Sequence, residues 1–101
     1  MLISGSICRG TGWVADEPNA EPLWRDLRAV VEAYLFGLWR DGMLTGDKPE
    51  RAFFVRCDRS TMSQADVDNG RLIMLAGLAM ARPAEFTLLR FVYAGGDCRA
   101  G

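Results

Sequence analysis

From Ala20 to Asp41 the apolar residues Leu23, Trp24, Leu27, Val30, Val31, Tyr34, Leu35 and Leu38 recur at steps of three and four. That spacing lays them along one broad stripe of a 3.6-residue helix, so any fold must supply a matching apolar layer beneath it. Arg25, Arg28, Glu32 and Arg40 project to the other side. Ahead of the stripe stands Asp16-Glu17-Pro18-Asn19, in which Asn19 is placed to accept hydrogen bonds from the first-turn amides and Glu21 to meet the positive end of the helix dipole. Gly42 supplies the stop. Phe36 and Trp39 fall outside the main stripe among polar neighbours, which fits either a wide buried face under a loop or a contact with another subunit.

The layer under the helix is read from the second half of the chain. Ala52 to Cys57 is rich in Phe and Val, Arg71 to Met80 is apolar with one break at Gly77, and Glu85 to Tyr93 is apolar again. All three read as strands. In the last, Phe86, Leu88 and Val92 share one face and Leu89, Phe91 and Tyr93 the other, which predicts cover on both sides. Met43 to Arg51 reads as a loop, and Ser63 with Asp66 three residues on reads as the cap of a short helical turn. Ile3 to Arg9 looks like the end of a helix stopped at Gly10 and Gly12, Trp13 to Ala15 like a short strand, and 95–101 like an unanchored, flexible tail. The expected architecture is α+β, with one long helix packed on a mainly antiparallel sheet, in a chain whose 101 residues suit a single domain.

Composition narrows the function. Twelve Lys and Arg against thirteen Asp and Glu leave a net charge of −1, which gives nucleic acid no counterion-release incentive. The apolar runs are too short to cross a bilayer, and Met1 to Thr11 lacks a signal-peptide pattern, so a soluble protein is expected. The absence of histidine removes the commonest general base and metal ligand. Cys8, Cys57 and Cys98 are odd in number and far apart, without a CxxC pair, and read as reduced thiols. Cys57, beside Asp58 at a strand end, has neither base nor oxyanion motif and reads as structural. Asp66, Asp68, Asn69 and Gly70 fail the register of a calcium loop, because Ala65 and Val67 fall where carboxylates are needed, and suit a turn and cap instead. Arg9-Gly10-Thr11-Gly12 lacks the lysine and the strand-loop-helix setting of a phosphate loop. No catalytic residue, cofactor, metal or small-molecule substrate is expected.

Several blocks in order carry a more specific signal: Ser6-Ile7-Cys8-Arg9-Gly10-Thr11-Gly12-Trp13, Glu17-Pro18-Asn19, Leu23-Trp24, Phe53-Phe54-Val55-Arg56-Cys57-Asp58, Thr61-Met62, Asp68-Asn69-Gly70-Arg71-Leu72-Ile73 and Arg82-Pro83-Ala84-Glu85-Phe86. Over about residues 3 to 93 the chain resembles the C-terminal domain of contractile phage tail sheath proteins, a family shared with contractile bacteriocins and injection systems. The resemblance implies a structural subunit that assembles with other sheath subunits in stacked hexameric rings around an inner tail tube, within a virion tail or a particle assembled in the cytoplasm. It also implies sheets completed by strands from neighbouring subunits. Under it Phe36, Trp39, Phe86, Leu88, Phe91 and Val92 are expected at subunit interfaces, and Arg56, Asp58 and Arg59 at the tube or a neighbour. The large upstream sheath domains are missing here, and Asp16 interrupts an apolar run. Those departures suggest a fragment, a decayed prophage product, or a stand-alone module that caps or regulates sheath assembly.

Overall fold

The computed structural model describes residues 2–81 and 85–100, with Leu2 described by its backbone alone. The expected α+β class is what it shows: four helices, a 3-10 turn and one antiparallel sheet of order β1-β2-β3-β4. The elements are α1 (Leu2–Gly10), the 3-10 turn (Gly12–Asp16), α2 (Glu21–Arg40), α3 (Pro49–Ala52), β1 (Phe53–Arg56), α4 (Gln64–Asp68), β2 (Leu72–Met80), β3 (Glu85–Ala94) and β4 (Asp97–Ala100).

α2 begins as Pro22 and Glu21 dictate, with a fixed φ and a negative charge in the first turn. Its buried face is Leu23, Trp24, Leu27, Val31 and Leu35, while Val30 and Tyr34, at the margin of the stripe, are exposed. The helix stops where expected: at Gly42, with φ 84°, the Gly42 amide donates to Trp39 O and the Met43 amide to Leu38 O, which satisfies two end carbonyls. The cap at the other end differs from expectation. Ala20 is the capping residue and Asn19 bonds no first-turn amide; its Oδ1 accepts from Trp24 Nε1 at 2.7 Å and its Nδ2 donates to Arg71 O at 3.0 Å. A buried indole N–H needs a partner, and that need outweighs the cap.

β2 and β3 pair along their whole length, from Leu72 opposite Tyr93 to Met80 opposite Glu85. β1 pairs with Leu75 to Leu78, and β4 with Phe91 to Ala94. Strand alternation then sorts the side chains. Leu72, Met74, Ala76 and Leu78 of β2 and Leu89, Phe91 and Tyr93 of β3 face the helices and form the core with Ile3, Ile7, Val14 and the α2 stripe. A chain of hydroxyls pins α1 to this layer. Thr11 Oγ1 donates to Ile7 O at 2.7 Å, so Tyr93, 2.9 Å away, donates to Thr11. Burial raises the Tyr93 pKa above 10.0, keeping that proton in place.

Four expectations are corrected. Trp13 to Ala15 lie in a 3-10 turn, not a strand, because Val14 turns inward and its amide bonds Thr11 O. The predicted tail is ordered over Gly95 to Ala100: Gly95 and Gly96 (φ 59° and 87°) make a two-residue turn that sends Asp97–Ala100 back along β3, while Gly101 lies outside the described residues. The thiols of Cys8 and Cys98 form a disulfide across 90 positions of sequence, with Cα atoms 5.6 Å apart; only Cys57 is free. The predicted loop from Met43 to Arg51 also holds structure, since Leu44 bridges Met80 and α3 starts at Pro49.

Candidate interaction surface

The outer face of the sheet, away from the helices, carries Phe54 and Arg56 of β1, Ile73, Leu75, Gly77 and Ala79 of β2, Phe86, Leu88, Arg90 and Val92 of β3, and Arg99 of β4. At its centre Phe54 and Phe86 lie across Gly77 with ring centroids 6.2 Å apart and nearly parallel planes. Gly77 is required there by space, because a Cβ would stand 2.0 Å from Phe54 Cε2 and 2.7 Å from Phe86 Cζ. The rings cover the glycine, but among the described residues little covers the rings: Phe86 is 62% and Leu88 56% exposed. Of the cover on both sides of β3 that its sequence predicts, the described residues supply one side only.

The backbone edge matches. β4 reaches only Phe91 to Ala94, so residues 85–90 of β3 have no strand beside them on that side among the described residues. β1 is the other border of the sheet. An unpaired strand edge beside exposed apolar side chains is the usual template for adding a strand from another chain.

The residues singled out from sequence divide between this surface and the interior. Phe86 and Leu88 sit on it, Val92 is half-buried at its margin, and Phe91 is 0% exposed in the core, where it serves packing and not a partner. Trp39 is half-buried and its Nε1 donates to Gly46 O at 2.9 Å, which is cover by the loop. Phe36, tilted at 55° against Trp39, stays exposed and lines a groove with Ala33, Pro49, Phe53 and Phe54 beside β1. Arg56 is exposed on the outer face, and its charge adds to the Ser60 hydrogen bonds that lower the Asp58 pKa. Asp58 accepts from the Ser60 amide at 2.8 Å and from its hydroxyl, which lowers its pKa, and Arg59 lies over the Trp24 ring at 5.6 Å and donates to Gln64. Those two are engaged within the chain.

Ser63 and Asp66 form the capping box read from sequence, Ser63 Oγ accepting from the Asp66 amide and Asp66 from the Ser63 amide, and Arg71 adds a salt bridge at 2.9 Å. Cys57 is enclosed, and burial pushes its thiol up to about 12, which leaves it protonated and unreactive in keeping with a structural role. A cleft of about 640 Å³ opens where Cys8, Thr11, Asn19, Tyr93 and Cys98 meet, but Thr11, Asn19 and Tyr93 are committed to the bonds described above. No helix among the described residues is long and apolar enough to cross a membrane.

Sequence reading missed Phe54, Gly77 and β4, because each acquires its place only through strand register. The sole local signal for the return strand was Gly95-Gly96, a pair suited to a tight hairpin.

The chain also has solved structures similar to it. The chain is similar to one in the cryo-EM structure of the anti-feeding prophage (AFP) baseplate, 6-fold symmetrised, at 40% identity and a TM-score of 0.63, covering 70% of this chain and 20% of that one. It is equally similar in fold to one in the contracted PVC sheath complex of an extracellular contractile injection system, at 46% identity, TM-score 0.63 and the same coverage. It thus spans about a fifth of the length of the chains it matches. No protein-family model and no curated protein matches. At these identities the likeness extends from the fold to the sequence, and relates the chain to components of contractile injection assemblies.

Proposed function

We propose that this chain is a structural element of a contractile tail sheath or a phage-tail-like injection device, and that it acts by self-assembly around an inner tube without catalysing a reaction. The likeness to sheath and baseplate complexes at 40 to 46% identity carries this reading. The open edge at residues 85–90, flanked by Phe86 and Leu88, supplies the means: a strand from a neighbouring subunit extends the sheet there, and its own outer-face side chains pack beside Phe86 and Leu88. Arg56, exposed on the outer face, is the residue placed to meet the tube or a neighbour. Contraction needs no bond chemistry in this scheme, since the work comes from interfaces with two stable arrangements.

A second reading, a module that caps or regulates sheath growth, is favoured by β4, which already fills part of the β3 edge. Mixing the labelled chain with polymerising sheath subunits of a related injection system separates the two. A building block appears along the polymers, a cap appears at their ends and shortens them, and a chain that stays in the supernatant contradicts both.

A further inference from the structure

We propose that the Cys8–Cys98 disulfide is a redox latch holding β4 on the β3 edge, and that its reduction opens Phe91 to Ala94 to an extended strand from a second copy of this chain. The inference rests on the strand-pairing reading above and adds its regulation.

β4 is otherwise lightly held. It is four residues long, and Cys98 is its one side chain not exposed. Besides the disulfide it has ladder bonds to β3 through the Gly95-Gly96 turn, of the kind that open locally in native proteins, and a short packing contact with α1 and the 3-10 turn. Cys98 faces inward opposite Tyr93, where α1 brings Cys8 to meet it, so the covalent bond ties the last strand to the first helix. While it persists, β4 cannot leave. When it is cut, the six free edge positions 85–90 and the four under β4 become one continuous edge along all of β3. β4 itself shows what fits that edge, an antiparallel strand of this same polypeptide. The occupant is therefore a second copy, and a longer run of backbone bonds gives it a longer hold.

The reductant is a thiol of the glutathione or thioredoxin class. Two monothiol molecules, or one dithiol, together supply two electrons and two protons: a thiolate attacks one sulfur to form a mixed disulfide and releases the other as a thiol, and the second thiol resolves the mixed disulfide, giving Cys8–SH and Cys98–SH and leaving the reductant as its own disulfide.

The test compares the full chain oxidised, the full chain with dithiothreitol, and Cys8→Ser/Cys98→Ser, by amide hydrogen exchange and sedimentation. Reduction should speed exchange at Val92, Ala94 and Arg99 by roughly tenfold or more while Leu75 to Leu78 stay protected, and should tighten self-association by about tenfold. Protection at Leu75 to Leu78 also shows that the reduced chain remains folded. Unchanged exchange at β4 overturns the latch, as does faster exchange with no gain in association. If the oxidised chain still associates in that case, the strand-pairing reading survives; if no state associates, that reading fails as well.

Discussion

Removing the disulfide should lower global stability by an amount that follows from its span. A cross-link between positions 90 apart removes loop-closure entropy from the unfolded chain worth about 4.6 kcal/mol in the simple entropic treatment. Residual compactness of the unfolded chain reduces this, and native cross-links commonly deliver roughly 2–4 kcal/mol. A domain of this size has about 5–15 kcal/mol in all, so the loss is a large fraction. With roughly 4–8 °C per kcal/mol near this length, the melting temperature should fall by about 10–30 °C. The assay is urea and thermal unfolding of the oxidised protein beside Cys8→Ser/Cys98→Ser, followed by circular dichroism. Cys57→Ser in both proteins removes the thiol that unfolding would expose to exchange with the Cys8–Cys98 bond. A difference below about 0.5 kcal/mol would refute the assignment of Cys8 and Cys98 as a closed pair in the folded chain.

Further outcomes follow from single side chains. Phe91→Ala should cost about 3–5 kcal/mol by opening a core cavity, whereas Leu88→Ser, on the exposed face, should cost about 0.5 kcal/mol or less yet weaken self-association. Chemical denaturation and sedimentation check both. Asn19→Ala strands Trp24 Nε1 and Arg71 O together, a loss of about 1–3 kcal/mol visible by the same denaturation. Asp66 titrates below 3.8 because the Ser63 amide and Arg71 hold its carboxylate charged. Its contribution is present above 3.8 and disappears as pH falls through the lower folded value, so Asp66→Asn should be less stable than wild type at pH 7 and approach it in acid. A gap that stays constant from pH 7 to strong acid would rule that out.

The parts of the fold legible in the sequence are those whose signals are local. The α2 stripe, the stop at Gly42 and the Ser63–Asp66 box are each complete within a few residues and stand where they were read, except that Val30 and Tyr34 of the stripe are exposed. The strands were legible as apolar runs, with ends within one or two residues of those observed. What escaped depends on partners distant along the chain. Asn19 looks like a cap until Trp24 and Arg71 are placed beside it, and 95–100 looks like a tail until β3 is there to pair with it. The cysteines appear unrelated until α1 and β4 lie together. The interaction surface was half legible: alternation singles out Phe86 and Leu88, but only the register that brings Gly77 between Phe54 and Phe86 shows which face of β3 is left open, and that Phe91 belongs to the other.

Sedimentation equilibrium over a wide concentration range, alone and with sheath subunits of a related injection system, tests the assembly role most directly. The account predicts a weight-average mass that climbs above the 11.2 kDa of one chain and falls back with Leu88→Ser. A mass fixed at 11.2 kDa at every concentration and in every mixture would contradict it.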